Sequence, residues 1–316
     1  MGKYIIKRIL ISVAVIFFVT IFTFALIHMI PGDPVQKMLG MEASKQARDQ
    51  MYEELHLNEP LYKQYLIWLN DVLHGDLGDC IVFTGTVAFN LGRSLPITLS
   101  LGIPAMLIGT VLGVLFGVIS AVHRGKFIDQ LLTVLSTTAF GIPVFWLAIL
   151  GIYFFAVRLG WLPVQGYIRP SEDFKAFLLR AILPICCQAI GFIAIICRQT
   201  RSNMLEVINQ DYIRTANANG LSKTRIVYKH ALKNALIPIV TLLGMQVRIV
   251  IGGSVIVEKI FNIPGTGKLI LDAVQNMDYV TVQGCVLVLT MITVFANLAV
   301  DLLYSVLDPR IRLSRS

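Results

Sequence analysis

Six long apolar runs constrain this chain more than any other feature of its sequence. Each is long enough to supply the roughly 20 helical residues that cross the hydrocarbon core of a bilayer. Because a lipid-exposed backbone must satisfy its own hydrogen bonds, the runs predict an all-α integral membrane protein with six transmembrane helices. The runs are Ile9–Ile30, Leu95–Val122, Leu131–Val157, Ala181–Cys197, Ala235–Val257 and Val280–Leu303.

The composition agrees with a membrane protein rather than a soluble one. Of the 316 residues, 56% are hydrophobic and only 15% are charged, whereas about a quarter of the residues of an average soluble domain are charged. The net charge of +8 does not favour nucleic acid as a partner, because the basic residues lie between apolar runs instead of clustering with aromatic residues. The first run follows Lys3, Lys7 and Arg8. It is too long for a signal peptide and lacks a small-residue cleavage site, so we expect a retained span.

Lys and Arg residues predict the orientation in the membrane. If the N-terminus is inside the cell, fifteen of them fall in the inner segments and eleven in the outer segments, although the outer segments are longer. This positive-inside bias favours cytoplasmic termini at both ends. The inner segments are then 1–8, 123–130, 198–234 and 305–316, and the outer ones are 31–94, 158–180 and 258–280.

The first outer loop, residues 31–94, is the largest piece outside the membrane. Gln46–Leu57 has a helical composition, and Leu61–Leu73 carries an apolar stripe at helical spacing. We expect a small helical cap, with a short hairpin around residues 83–86. The cap is interpreted either as a contact surface for a soluble substrate-delivery protein or as a lid that packs only on its own spans.

A basic segment between the fourth and fifth runs, residues 209–238, is the most distinctive polar stretch. Gly220 stands where a helix starting near Ile208 would end, because glycine adopts the left-handed conformation at little cost. Ser222 predicts the N-cap of a second helix that continues into the fifth span. Such a helix pair at the cytoplasmic mouth is interpreted as a docking element. The residues that would give the first helix an apolar face are Tyr212, Ile213 and Ala216.

The same segment carries a resemblance to a known family. Arg214-Thr215-Ala216, Gly220 and, after nine more residues, His230-Ala231-Leu232 resemble the EAA loop of bacterial ABC-importer permeases. More narrowly, the segment resembles the variant found in the dipeptide, oligopeptide and nickel permease family. One departure is Asp79-Cys80, where the family more often has serine second. Four further pieces keep the family's order: Pro31-Gly32-Asp33-Pro34, Gly75-Asp76-Leu77-Gly78, Phe261-Asn262-Ile263-Pro264-Gly265-Thr266-Gly267 and Leu307-Asp308-Pro309-Arg310.

The resemblance implies a type I ABC-importer permease (MetI-like) fold, with a helical extracytoplasmic insertion between the first and second spans. It divides the chain into a cytoplasmic N-terminus with the first helix (1–30), the cap (31–94) and a five-helix permease core (95–304). A cytoplasmic tail (305–316) follows, and the core includes a coupling segment (198–234). The residues implied to couple to an ATPase are Tyr212, Ile213, Arg214, Thr215, Ala216, Asn217, Gly220 and Leu221.

The resemblance also implies the partners and the location. They are a second permease subunit, two cytoplasmic ABC ATPase subunits and an extracytoplasmic binding protein, in the lipid of a bacterial cytoplasmic (inner) membrane. The chain itself would hold no cofactor and no metal, bind no nucleic acid and catalyse no reaction, because ATP and Mg would be bound by the ATPases. Residues 264–268 do not form a nucleotide loop, since Asn262 and Leu269 replace the required glycine and Ser or Thr. They predict a turn that opens a short outer helix.

Two charged residues mark a candidate translocation path. Arg248 lies more than halfway along the fifth span, where an arginine is costly unless it faces water or a partner. We interpret it as a contact for an anionic substrate group such as a peptide carboxylate. The alternatives are a structural ion pair and a contact with the second permease. Glu258 lies at the outer end of the same helix.

The substrate class is less constrained than the transport mechanism. Within the resembled family, di- and oligopeptides come first, nickel or another metal-chelate complex second, and glutathione is also carried. An ion-coupled secondary transporter is a separate alternative. It would be expected to show paired intramembrane carboxylates and inverted repeats, and the sequence shows neither.

Overall fold

The computed structural model describes residues 2–29, 34–40, 43–54, 56–252 and 255–307. Among them every regular element is helical, and two π-helical segments, at 152–158 and 226–231, interrupt the α-helices. Of the motifs at residues 31–34 and 307–310, only Pro34 and Leu307 lie within these ranges. The α-helices are α1 Gly2–Met29, α2 Pro34–Leu39, α3 Lys45–Glu54, α4 Leu61–Leu73, α5 Val87–Val122, α6 Phe127–Gly141, α7 Val144–Gly151, α8 Phe174–Ile208, α9 Asp211–Ala218, α10 Lys223–Arg225, α11 Leu232–Ala235, α12 Ile237–Gly252, α13 Val255–Ile260, α14 Thr266–Gln275 and α15 Tyr279–Leu307.

Within the described residues, five helices are long and apolar enough to cross a membrane, and a bent pair supplies a sixth span. The six predicted spans are therefore confirmed as candidates, but the third is broken. Its halves, α6 and α7 with the π segment 152–158, meet at an angle of 98°. The break follows from Pro143, because a proline pushes the preceding residue out of the helical region, and Ile142 is extended with ψ 125°. The five unbroken spans are Arg8–Ala25, Val87–Val122, Phe174–Ile208, Ile237–Ile260 and Tyr279–Val300.

Helix α8 is much longer than the apolar run that predicted it. The run covers 181–197, whereas the helix covers Phe174–Ile208. Its N-terminus is capped by Asp173, whose carboxylate accepts a hydrogen bond from the backbone N–H of Ala176 at 2.9 Å. Charged residues that end an apolar run do not end a helix, since arginine and glutamate are good helix formers.

The chain divides into two compact units, and the first contains residues 1–93 and 269–295. Here α4 packs on α1 through an aromatic group, with the ring centroid of Phe24 5.4 Å from that of Tyr65 and 6.0 Å from that of Trp68. The Tyr65 hydroxyl also lies 2.9 Å from the Thr20 hydroxyl. The predicted helical cap and the stripe on α4 are therefore present, although Leu61 of the stripe is exposed.

The predicted short hairpin is present only in rudimentary form, as a turn over residues 78–86. It contains one antiparallel bridge, between Asp79 and Thr86. The fully buried carboxylate of Asp278 accepts hydrogen bonds from the backbone N–H groups of Ile81 and Val82 at 2.9 and 3.0 Å, which holds the turn beside the start of α15. Burial raises the pKa of the Cys80 thiol in the same turn.

The second unit contains residues 94–268 and 296–316, and within it α5 packs closely on α8. Gly109, Gly113 and Gly117 recur every fourth residue on one face of α5. A Cβ at Gly113 would lie 2.8 Å from the Cβ of Ile196, and one at Gly117 would lie 2.6 Å from the Cβ of Thr200. The two backbones approach so closely that only glycine fits, which is how membrane helices gain dispersion contacts that lipid cannot supply.

A buried carboxylate joins α5, α6 and α8 in this unit. Asp129 is 4% exposed, and its two oxygens accept hydrogen bonds from Nε and Nη2 of Arg201 at 2.7 and 2.9 Å. They also accept hydrogen bonds from the Ser120 hydroxyl at 2.5 Å and from the backbone N–H of Gly125 at 2.9 Å. The bidentate pair and these two further donors satisfy a charge that would otherwise be costly to bury.

Candidate coupling surface and translocation path

The helix predicted over Ile208–Asn219 is shorter in the structure. Helix α8 continues through Ile208, and α9 begins at Asp211 and ends at Ala218. Gln210 separates the two helices because its backbone is extended, with φ −73° and ψ 150°. The candidate coupling element is therefore a separate helix of eight residues placed directly after a candidate span.

The end of α9 is a Schellman motif centred on Gly220. Its φ of +75° is left-handed, its N–H donates to the carbonyl of Asn217 at 3.0 Å, and the N–H of Leu221 donates to the carbonyl of Ala216 at 3.3 Å. The left-handed glycine predicted at this position is confirmed. A Cβ on Gly220 would meet nothing within 4 Å, so the conformation alone selects glycine.

The apolar face of α9 is directed at this chain's own core. Ile213 is 1% exposed and Ala216 is 8% exposed, and both pack in a cluster with Val118 of α5 and Met204 of α8. Leu221 packs against the same cluster. The sequence predicted this face, but its members hold α9 onto the permease and are not available to a partner.

The outward face of α9 is polar. Arg214 and Thr215 lie opposite Ile213 and Ala216 on the helix and are exposed, as is Asn217 on its flank. Tyr212, expected on the apolar face, lies at its edge and is 43% exposed. Its hydroxyl accepts a hydrogen bond from Nδ2 of Asn234 at 2.8 Å, which ties α9 to α11.

The chain returns to the membrane through a helical stretch that contains a π turn. Ser222 caps its start, with its hydroxyl accepting the N–H of Arg225 at 3.4 Å, as predicted. Ile226 and Ala231 are both buried although they are five residues apart, because the π segment between them adds one residue to the turn. The basic side chains of this stretch remain exposed: Lys223, Arg225, Lys229 and Lys233.

Arg248 lies on the outward face of α12 with Met245 and Ile249, which are 54% and 53% exposed. Its Nε donates to the carbonyl of Met245 in its own helix at 3.3 Å. Among the described residues no carboxylate forms an ion pair with it. The exposed guanidinium therefore has no ionic partner among the described residues.

Glu258 is enclosed by the chain. It is 1% exposed, and its carboxylate accepts the Thr98 hydroxyl at 2.7 Å and the backbone N–H of Lys268 at 2.9 Å. A Cβ at Gly265 or Gly267 would collide with this carboxylate, so the glycines of the 261–267 motif make room for it. The predicted turn does open a helix, and Glu258 holds the N-terminus of α14. In this conformation no solute reaches the side chain.

One charge within a candidate span was missed from the sequence, Arg198 on α8. It was counted with the inner segment because the apolar run ends at Cys197. The structure places its guanidinium carbon 4.2 Å from the ring centroid of Phe140. The signal that could have revealed it is the continuation of helical spacing beyond the apolar run.

The family of this chain follows from its sequence over nearly the whole length. The family described as binding-protein-dependent transport system inner membrane component matches residues 113–313, and its N-terminal counterpart matches residues 1–102. The chain belongs to this family. It is accordingly a multi-pass inner-membrane component of a transport system that depends on a binding protein.

Relatives in the binding-protein-dependent permease family resemble the chain from end to end. A probable peptide ABC transporter permease of Sinorhizobium fredii is 42% identical, with 99% of this chain and 100% of the relative covered. An oligopeptide transport system permease of Bacillus subtilis is 39% identical, with 98% and 99% covered. A glutathione transport system permease of Escherichia coli is 36% identical, with 99% of each chain covered.

A solved structure confirms the predicted fold. The chain is similar to a chain of the MetNI methionine ABC transporter in an inward-facing conformation, with a TM-score of 0.55 and 22% identity. The similarity covers 70% of this chain and 97% of that chain. The MetI-like type I importer fold is thus shown for the larger part of the chain.

Proposed function

We propose that the chain is a transmembrane permease subunit of an ABC importer that moves di- and oligopeptides into the cell. The observation that carries this proposal is α9, a short helix whose apolar side is anchored in the permease core and whose polar side is free. A helix attached in this way to the spans can be displaced by a cytoplasmic partner that binds its polar side. The family membership and the relatives that are peptide permeases support the same conclusion.

The contacts of α9 suggest how a partner's movement would reach the membrane. Ile213 and Ala216 pack against Val118 of α5 and Met204 of α8, and the glycine contacts hold α5 and α8 together. A displacement of α9 is therefore passed to two spans at once. ATP binding would close two cytoplasmic ATPase subunits and move α9, and the spans would change from inward to outward opening. Only contacts that differ between the two states can drive such a change.

The proposed assembly has a second permease subunit, two ABC ATPases and an extracytoplasmic binding protein. ATP and Mg bind to the ATPases, and this chain contributes no catalytic group. Both termini and the part of the coupling segment that follows α8, residues 209–234, lie in the cytoplasm, as the distribution of Lys and Arg favours. The cap 31–94 then faces the binding protein, and the five-helix core 95–304 carries the path.

Arg248 is the residue that we assign to the translocation path. Its exposed guanidinium fits a peptide carboxylate, because an arginine presents paired donors that match the two carboxylate oxygens. Glutathione is the second candidate substrate, since a glutathione permease is among the relatives and glutathione also carries carboxylates. Nickel or another metal chelate is a further alternative, which the resemblance alone suggests.

Reconstitution tests the proposed function directly. The chain and its second permease, placed in proteoliposomes, should import a labelled dipeptide or oligopeptide only when the ATPases, ATP and the binding protein are all present. Import without ATPases, driven by a proton or sodium gradient, would instead indicate an ion-coupled secondary transporter. Competition by glutathione and by a nickel chelate separates the substrate alternatives.

A further inference from the structure

Two arginines on α8 extend in opposite directions along α6. Arg201 pairs with Asp129 in the first turn of α6, whereas the guanidinium of Arg198 lies over Phe140, the last residue but one of that helix. Positions 129 and 140 are separated by about 16 Å at a rise of 1.5 Å per residue. Because α8 side chains lean toward its N-terminus, Arg198 reaches toward the break in the third span and away from the paired Asp129.

This direction is energetically costly unless the charge has a partner. An arginine within a membrane span normally extends to the nearest interface or pairs with an acid. Arg198 is exposed, and in the described part of the chain no carboxylate lies within ion-pair distance of it. The face of the Phe140 ring offsets part of the cost but supplies no hydrogen-bond acceptor. The donors of the guanidinium remain available to a ligand.

The position of this pair in the fold also indicates a path. Phe140 is 54% exposed and directly precedes the bend of 98° at residues 142–143. An interrupted helix at membrane depth is tolerated only where it packs in protein or lines a water-filled cavity. A cationic group and an open aromatic face beside such an interruption are therefore expected to face protein or water and not lipid tails.

We propose that Arg198 and Phe140 form a binding site for the C-terminal carboxylate of the transported peptide, separate from Arg248. The inference rests on the proposed function. Every unmodified peptide carries this carboxylate whatever its side chains, so a site for it accepts many sequences. The guanidinium binds both carboxylate oxygens, and Phe140 limits the directions in which the guanidinium can turn.

Import by the complete complex is the first test. A labelled tripeptide and its C-terminal amide are compared in the parent protein and in Arg198→Gln. The variant should lower kcat/KM for the free tripeptide by about 10-fold or more, the loss typical of a charge-assisted contact, and leave that for the amide unchanged. Arg158→Gln is the matched control, because Arg158 lies over the ring of Tyr153 in a similar pair at the other end of the broken span. It should affect neither peptide.

Fluorescence gives a second measurement that does not depend on the binding protein. In the permease–ATPase complex without binding protein, the Phe140→Trp variant is titrated with the same two peptides and compared with the parent protein. The free tripeptide should change the fluorescence of the introduced tryptophan until binding saturates, and the amide should leave it unchanged. Arg198→Gln in the Phe140→Trp background should abolish the response.

The two experiments separate the possible outcomes. Equal loss for both peptides in Arg198→Gln, unimpaired import of the free tripeptide by that variant, or no fluorescence response would overturn the carboxylate site while the importer function stood. Failure of the parent complex to import any peptide would overturn the proposed function itself. If the parent imports no amide, the fluorescence titration alone decides.

Discussion

The left-handed conformation of Gly220 allows a graded test of the coupling segment. Its φ is +75°, and a Cβ added there would have no neighbour within 4 Å, so a side chain at this position meets no steric obstacle and only the backbone conformation resists it. That resistance is roughly 1–2 kcal/mol for an ordinary L-residue and less for asparagine, which tolerates the left-handed region. The free segment can relax the strain by distorting the end of α9, whereas a docked α9 must keep its shape.

The strain therefore appears as lost affinity for the ATPase. A cost of 1–2 kcal/mol corresponds to a roughly 5- to 30-fold change in an equilibrium constant. We expect Gly220→Val to lose the most affinity, Gly220→Ala an intermediate amount and Gly220→Asn the least, with peptide-stimulated ATP hydrolysis falling in the same order. The measurement is titration of the ATPase onto the permease pair in nanodiscs, followed by hydrolysis with loaded binding protein.

Gly160→Val is the matched control for this series. Gly160 is also left-handed, with φ +66°, and a Cβ added to it would likewise have no neighbour within 4 Å, but it lies after the third span on the predicted outer side. It should leave ATPase affinity unchanged. Parent-like affinity and full stimulated hydrolysis in Gly220→Val would show that α9 is not the coupling element.

Three further predictions concern topology, the path and helix packing. Glu172→Cys should be labelled by an impermeant maleimide from outside and Lys223→Cys should not. Labelling of Lys223→Cys in intact cells would refute the orientation. The native Cys80 should react with the maleimide slowly at neutral pH and faster as the pH rises, because the raised pKa of its thiol leaves little thiolate. Arg248→Leu should reduce peptide import with the complex intact, and unchanged import kinetics would exclude it from the path. Gly113→Val should destabilise the purified permease by about 1–3 kcal/mol through overpacking and so lower its thermal midpoint. An unchanged midpoint would contradict the close packing of α5 on α8.

The local features that depend on few residues could be predicted from the sequence. The left-handed Gly220 and the cap at Ser222 were found because each reflects an intrinsic preference of one residue type. The six spans were found because apolar length is a property of the chain alone. The sequence shows Pro143 but does not predict the bend there, because neighbouring helices decide whether a membrane helix tolerates a proline.

The direction of a side chain could not be predicted, because it depends on what the chain packs against. Ile213 and Ala216 were identified as an apolar face, yet only the fold shows that α5 and α8 cover it. Glu258 was placed on the path because it is charged and near a span, whereas the structure uses it to hold the start of α14. Arg198 was missed because the apolar run ends at Cys197, whereas α8 continues to Ile208.

The network around Asp129 has a consequence for how the protein is made. Arg201 follows Asp129 by 72 residues, which a ribosome adding about 5–20 residues per second needs roughly 4–14 s to synthesise. During that interval the carboxylate, in the first turn of α6, has no contact with Arg201. Its other donors, Ser120 and Gly125, precede it in the chain and are already present. These local donors can therefore bind the carboxylate until Arg201 has been synthesised.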